Sequence, residues 1–248
     1  VRPRDVWMTN RTYVQPLTMA DNMIRFGAAA MLAASDARDA NDYALRLEEE
    51  GMMFRISPTE RAVVNRGATV STAELALLKE IEQVVRKGYV RSISSTKAMM
   101  DEGELPSNPG HVFVDCTAPG LSTTPASTIF EDGKISLHFT TRGVAPWSAA
   151  LIGCVESLDL TLEEKNQLCP ALPRTGDMRG VLNIMRIGMP AENKRRKVGE
   201  LAAWSAKARL NSGRAIPDHM NDPDVQAGFA TMIQNFKPAM ENLERICT

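Results

Sequence analysis

Residues 111–121 read His-Val-Phe-Val-Asp-Cys-Thr-Ala-Pro-Gly-Leu, an apolar run that gives way to small residues and a glycine. Because β-branched and aromatic residues favour a pleated surface, the run 111–115 predicts a short buried strand. The turn after this strand has three interpretations. It is a structural turn, or a turn whose glycine lets the backbone approach a bulky ligand, or a catalytic site with Cys116 as the nucleophile. For the third, His111 would have to fold back and act as the base.

A β-rich region surrounds this run. Residues 127–130 and 135–140 are predicted strands of a hairpin, because the Asp-Gly pair at 132–133 between them tolerates positive φ. Three further β features are predicted from short apolar runs and an Asp-Glu-Gly sequence: strands at 52–56 and 89–93, and a turn at 101–103.

Helices are predicted on both sides of the β-rich region. The clearest covers residues 72–87, where Ser71 and Glu74 form a capping box and Gly88 can end the helix. Its apolar side chains share one face: Leu77, Leu78, Ile81, Val84 and Val85. Before this helix, one helix is predicted around Met19, Met23, Ile24 and Met31, and another over 41–50, ended by Gly51. After the β-rich region, helices are predicted to begin near Pro146 and at the Thr161–Glu164 capping box. Two more are predicted over 177–210 and 224–245.

The composition excludes several classes of protein. The chain has 248 residues, of which 44% are apolar and 24% charged, as is typical of a globular protein with one large domain or two small ones. A net charge of −1 and an aromatic content of 5% argue against nucleic-acid binding. No apolar stretch approaches the ~20 residues that span a bilayer, and no signal peptide is visible, so we expect a cytoplasmic protein without a membrane partner.

The four cysteines stand at 116, 154, 169 and 247, without the short paired spacing of a zinc site. In a chain of this length they do not make a disulfide framework either, so we expect reduced thiols and no metal. Other motifs are absent as well. No two glycines lie closer than four residues apart, which excludes GxGxxG, and no Gly-Lys pair is followed by Ser or Thr, which excludes a Walker A loop. Neither GxSxG nor HExxH occurs.

The first residues carry two arginines, Arg2 and Arg4, in a segment whose prolines predict an extended loop over residues 1–16. In a dinucleotide-binding fold, the strand after the glycine-loop helix ends near the adenosine ribose, and arginine there accommodates the 2′-phosphate of NADP. The alternative is two solvated side chains in a loop. The run Lys-Arg-Arg-Lys at 194–197 also has two interpretations, a basic patch for an anionic partner or a solvated helix end.

Six segments together resemble a family of FAD/NAD(P)-binding oxidoreductases related to the pyridine-nucleotide and flavin monooxygenase-type flavoproteins. The resemblance covers residues 1 to about 210 and depends on the order of the segments rather than on one fingerprint. In chain order they are VRPRDVWMTNRTYVQP (1–16), LRLEEEGMMFRI (45–56), STAELALLKEIEQVVRKG (71–88), HVFVDCTAPGL (111–121), IFEDGKISLHFTTRG (129–143) and ESLDLTLEEKNQLCP (156–170).

The resemblance implies an α/β fold: the remainder of a NAD(P)-binding Rossmann-type domain with a helical insertion over residues 1–110, then the C-terminal part of an FAD-binding domain with a helical tail over residues 111–248. The family places both glycine-rich loops before the Arg-Pro-Arg-Asp segment, so the chain is expected to enter midway through the NAD(P) domain. A sheet interrupted there exposes an edge, and we therefore expect poor autonomous stability or a homo-oligomer.

The resemblance also implies site residues. Arg2 and Arg4 would lie near the NADP phosphate, and Thr117, Ala118 and Gly120 near the flavin, in the position of the family's Ala-Thr-Gly segment. The Cys-Thr-Ala-Pro-Gly sequence departs from that segment by an inserted proline.

The function implied by the resemblance is hydride transfer from NAD(P)H to FAD and on to oxygen or a small-molecule acceptor. Because the flavin performs this chemistry, no side chain need act as general acid or base, and no catalytic residue is assigned. The segment alone is expected to bind both cofactors weakly, since the helix N-terminus that receives the pyrophosphate is missing. One alternative is a truncated, non-catalytic relative that acts as a binding module. The other is an enzyme that uses Cys116.

Overall fold

The computed structural model describes residues 4–15, 17–116, 125–142 and 145–248. In these residues the chain is mixed α/β, with helices predominating over short strands. The helices are α1 (Ala20–Asp36), α2 (Ala40–Glu49), α3 (Thr72–Lys79), α4 (Ala145–Glu156), α5 (Leu162–Leu168), α6 (Met178–Arg195), α7 (Gly199–Lys207) and α8 (Pro223–Cys247). Short 3₁₀ helices cover Arg11–Val14, Leu17–Met19 and Ile216–His219. The strands are β1 (Asp5–Val6), β2 (Met8–Asn10), β3 (Met53–Phe54), β4 (Ala62–Val64), β5 (Thr69–Val70), β6 (Val90–Ile93), β7 (Lys97–Met100), β8 (Gly103–Pro106), β9 (Phe130–Glu131) and β10 (Lys134–Ile135).

The N-terminal strands pair mainly with strands that lie far along the chain. β1 is parallel to β4, and β2 lies between antiparallel β3 and parallel β5. Parallel neighbours need a crossover connection, and here α1 and α2 lie in that connection. The prediction of an extended loop over residues 1–16 is therefore wrong for Asp5–Asn10. Trp7 and Met8 are buried in this stretch, because neighbouring strands supply the backbone partners that the local sequence does not reveal.

The largest packed interface joins α1 and α8. Each helix contributes a glycine: a Cβ on Gly228 would lie 2.8 Å from the Ile24 side chain, and one on Gly27 would lie 2.9 Å from Met232. The alanines of α1 add to the close approach, since short side chains keep the backbones near one another. Around this pair lies the larger core cluster, whose fully buried large side chains include Trp7, Met31, Tyr43, Leu47, Leu182 and Leu243.

Side chains of α8 also complete the hydrogen bonding at the end of α1. Asn242 Nδ2 donates to the carbonyls of Ala34 and Ala37 at 2.9 and 2.8 Å, and an Arg245 terminal nitrogen donates to Ala37 and Arg38. The last carbonyls of a helix lack partners within that helix. The C-terminal helix therefore both covers and caps the first one.

A smaller core cluster lies around α4 and α5. Trp147 and Trp204 stack with their ring centroids 5.2 Å apart, and Ile129 and Phe130 pack beside them. All three tryptophans are packing residues, since Trp7 belongs to the larger cluster and Trp147 and Trp204 to the smaller one. The β9–β10 hairpin delivers Phe130 to this cluster, with Gly133 of the predicted turn at φ 67°.

Local end signals are confirmed. Ser71 and Thr161 form the two predicted capping boxes, and Gly51 ends α2 at φ 67°. The α2 end is a Schellman arrangement, since the Gly51 and Met52 amides donate to the carbonyls of Glu48 and Leu47.

The longer predictions are wrong in extent. The helix predicted over 177–210 is divided into α6 and α7, and the hairpin strands predicted over 127–130 and 135–140 are reduced to β9 and β10. The helix predicted over 72–87 ends at Lys79, and its apolar face is exposed, with Leu77 at 63% and Ile81 at 58%. A short helix without a packed face is marginal, which explains the early end. The strand predicted over 111–115 has no regular structure, and Val112 and Val114 are 87% and 78% exposed. No described strand pairs with these residues, so their β-propensity finds no partner.

We expect Gly228→Ala to destabilise the protein and Gly153→Ala to stabilise it. At Gly228 overpacking against Ile24 costs about 1–3 kcal/mol, which outweighs the ~1 kcal/mol of helix propensity gained. Gly153 is the matched control, because a Cβ there meets nothing within 4 Å in the exposed face of α4. Its substitution should add about 0.5–1 kcal/mol. Urea unfolding measures the free energy of unfolding of both variants. Equal stabilisation by the two alanines would show that α1 and α8 are loosely packed at Gly228.

Candidate anion-binding site

A buried carboxylate marks the start of β1. The Asp5 side chain is only 4% exposed, and the Nε of Arg86 donates to its Oδ2 at 3.2 Å. A buried carboxylate requires charged or hydrogen-bonding partners, so Arg86 is drawn against the sheet. Among the described residues Arg86 donates no other hydrogen bond, and the two terminal nitrogens of its guanidinium therefore remain for a ligand.

Two further arginines approach the exposed ring of Tyr89. The guanidinium carbons of Arg4 and Arg91 lie 5.8 and 5.7 Å from the ring centroid, within cation–π range. Arg91 also pairs with Asp101, whose pKa is lowered first by the hydrogen bond from the Tyr89 amide and then by Arg91. Arg4 forms no ion pair with a carboxylate in the part of the chain that the structure describes. Its charge is available to an anion.

An open groove of about 460 Å³ adjoins Arg86. It lies between the segment after β3 and the segment that runs from the end of α3. Its walls carry both apolar and charged side chains: Ile56, Ser57, Pro58, Lys79, Ile81, Glu82, Val84 and Arg86.

Only one of the five predicted cofactor-binding residues falls in the described part of the chain. Arg4 lies at the cluster just defined, whereas Arg2, Thr117, Ala118 and Gly120 lie outside the described residues. Arg4 was expected at the end of a strand, and the structure instead places it immediately before β1. The phosphate expectation for Arg4 therefore depends on the local charge cluster and not on the strand-end rule.

The sequence interpretation missed the partners of Arg4. Tyr89 and Arg91, with Arg86 before them, belong to the stretch 86–91, where the sequence predicts a helix end and a strand. The local signal for an anion site is the arginine content of this stretch, since the guanidinium group suits phosphate. The fold brings this stretch next to β1, across more than 80 residues of sequence.

The structure does not bring His111 to Cys116. His111 Nε2 is hydrogen-bonded to the Asn108 side-chain nitrogen at 2.9 Å, and its ring meets Phe113 edge-on. In the described ranges no hydrogen bond joins the Cys116 thiol to an imidazole, so a preformed nucleophile–base pair is not observed.

The residues of the basic run 194–197 have different surroundings. Arg195 is 5% exposed and donates to the carbonyl of Leu168 at 2.7 Å and to Glu192, so it is a buried structural residue. Its neighbour Arg196 pairs with Glu192 at the surface, as expected for a solvated helix end.

His138 is hydrogen-bonded to Ser127 at 2.7 Å. Across the residues with described positions, no three His, Cys, Asp or Glu side chains form a group able to bind a metal ion. Nor does any described helix combine the length and apolarity needed to cross a membrane.

The four thiols are free and differ in accessibility. Burial raises the pKa of Cys169 to about 11, and burial also raises the pKa of Cys154 and Cys247. At a pH of ~8 we expect iodoacetamide to modify exposed Cys116 first and Cys169 last, because the thiolate is the reactive form. Peptide mass mapping over time measures the order. Labelling of Cys169 as fast as Cys116 in the folded protein would contradict the packing of the smaller core.

Comparison with known proteins gives relatives without an assigned activity. No protein-family model matches the chain, and no solved structure matches it significantly. Three curated proteins are each 30% identical to it over 236 residues, or 94% of this chain: the uncharacterized proteins Mb2023 of Mycobacterium bovis and MT2056 and Rv2000 of two Mycobacterium tuberculosis strains. The chain spans 44% of the length of each of these relatives, so the matched region is less than half of them.

Proposed function

We propose that this chain is the nucleotide-recognising part of a flavin-dependent oxidoreductase that moves hydride from NAD(P)H to FAD and on to oxygen or a small-molecule acceptor. The observation that carries the proposal is the cationic cluster that Arg4 and Arg91 form over Tyr89, next to the start of β1. The ordered series of resembling segments supports the same class of enzyme. The parallel β1–β4 and β2–β5 pairs, with helices in their connections, agree with a nucleotide-binding α/β unit.

The described residues fit the phosphate-bearing end of a nicotinamide nucleotide. Arg4 lies over Tyr89 without a carboxylate partner in the described ranges, and Arg91 lies over the same ring. Guanidinium groups bind phosphate through paired, charge-assisted hydrogen bonds, so the cluster suits the 2′-phosphate that distinguishes NADPH from NADH. The ring of Tyr89 holds the two guanidinium groups in position through cation–π contacts.

The flavin, when bound, would supply the hydride chemistry, and the residues proposed to contact it are Thr117, Ala118 and Gly120. The chain's own described residues have the task of binding and orienting the nucleotide. The proposal therefore assigns recognition of the dinucleotide to Arg4 and its neighbours and assigns no proton transfer to a side chain.

A second candidate is a non-catalytic binding module, and one observation favours it. Apolar side chains are exposed in two segments, with Val112 and Val114 above three quarters exposed and Leu77 and Ile81 above half. Exposed apolar clusters of this kind are common at protein–protein interfaces. The two candidates differ in whether flavin accompanies the natural protein.

The natural protein distinguishes the two candidates by its intact mass and absorption spectrum. Flavin bands near about 370 and 450 nm, with a mass well above 27.2 kDa, would support the oxidoreductase. A mass of 27.2 kDa without flavin would contradict it and favour the binding module.

We expect Arg4→Ala to weaken the binding of NADPH but not that of NADH. Loss of one charge-assisted contact to phosphate corresponds to a KM for NADPH that rises roughly 10-fold or more, while the KM for NADH stays unchanged. Arg209→Ala is the matched control, because Arg209 is exposed in the segment after α7 and lies outside the cluster. Steady-state oxidation of both nucleotides by the flavin-loaded natural protein measures the effect. An equal change for NADH would show that Arg4 does not read the phosphate.

A further inference from the structure

The groove beside Arg86 carries an unusual balance of charge. Its lining supplies two cations, Lys79 and Arg86, and one carboxylate, Glu82. Arg86 uses only its Nε toward Asp5, and Lys79 forms no ion pair with a carboxylate of the described residues. The lining thus carries one net positive charge and two cationic groups with free donors. Such a charge suits a ligand with one negative charge.

The remaining walls of the groove are largely apolar. Ile56 and Pro58 line one side, and Ile81 and Val84 line the other. At about 460 Å³ the groove falls in the size range of ligand sites, which combine apolar walls with a few placed polar groups. Ile81 is 58% exposed, so a hydrocarbon group in the groove would remove its surface from water.

We propose that this groove binds small amphipathic carboxylates, with the carboxylate at Arg86 and Lys79 and the hydrocarbon against Ile56, Pro58, Ile81 and Val84. The terminal nitrogens of Arg86 match the two oxygens of a carboxylate, as in a paired arginine–carboxylate contact. Glu82 in the lining disfavours a second negative charge and therefore disfavours a di- or triphosphate. This inference does not rest on the proposed oxidoreductase activity.

The probe is 8-anilinonaphthalene-1-sulfonate, a fluorescent amphipathic monoanion, with decanoate and decan-1-ol as competitors. Decanoate is expected to displace the dye at lower concentration than decan-1-ol, because only decanoate carries the charge that Arg86 and Lys79 bind. Equal competition by the two compounds would overturn the carboxylate assignment. Displacement of the dye by 2′,5′-ADP would also overturn it, since the groove would then belong to the nucleotide site.

Matched variants locate the effect. Ile81→Asp is expected to weaken decanoate binding at least about tenfold, through lost apolar contact and added negative charge. Leu77→Asp introduces the same change at a similarly exposed residue of the same segment that does not line the groove, and should leave the binding constant within about twofold. Equal losses in the two variants would show that the dye binds a general apolar surface.

A conservative variant tests the charge separately. Lys79→Gln is expected to weaken the binding of decanoate about two- to fivefold, which corresponds to the free energy of an exposed ion pair. The binding of decan-1-ol should not change. Lys207→Gln, in the last turn of α7, is the control. Near-UV circular dichroism of each variant establishes that it remains folded. Unchanged decanoate binding in folded Lys79→Gln would contradict the proposed position of the carboxylate.

Discussion

The close approach of α1 and α8 is the constraint on which the rest of the structure depends. Glycine on each helix and alanine along α1 let the two backbones meet, and Asn242 and Arg245 then bond the carbonyls at the end of α1. With that pair in place, Tyr43 and Leu47 of α2 and Leu182 of α6 find an apolar environment. The N-terminal strand region packs on the same cluster through Trp7.

The candidate site follows from one electrostatic requirement of that packing. Asp5 enters the protein interior at the start of β1, and a carboxylate there needs a cation, which Arg86 supplies. Because Arg86 is held against the sheet, the neighbouring Tyr89 and Arg91 lie beside Arg4, and the groove opens along the preceding segment. A single buried charge thus organises both the arginine cluster and the groove.

Features governed by neighbouring residues could be predicted from the sequence, and features governed by distant partners could not. The two capping boxes, the end of α2 at Gly51 and the hairpin turn at Gly133 depend on a few adjacent residues, and all are confirmed. The extent of α3 and the state of residues 111–115 depend on whether another element covers them, which periodicity does not reveal. Likewise Arg4 could be named as a candidate anion ligand, but Tyr89 and Arg91 are brought to it only by tertiary pairing. The classification as mixed α/β needed no distant contact, because strand and helix signals alternate along the chain.

The capping of α1 by α8 has a consequence for biosynthesis. Asn242 bonds a carbonyl 208 residues earlier in the chain, so the ribosome must translate that interval before the end of α1 is satisfied. Contacts of such separation are slow to form, because a long loop must close before they contribute. During translation the alanine face of α1 therefore stays exposed until α8 has been made. Exposed apolar surface of this kind is what chaperones bind on nascent chains. The helix that protects α1 is therefore one that leaves the ribosome long after α1 itself.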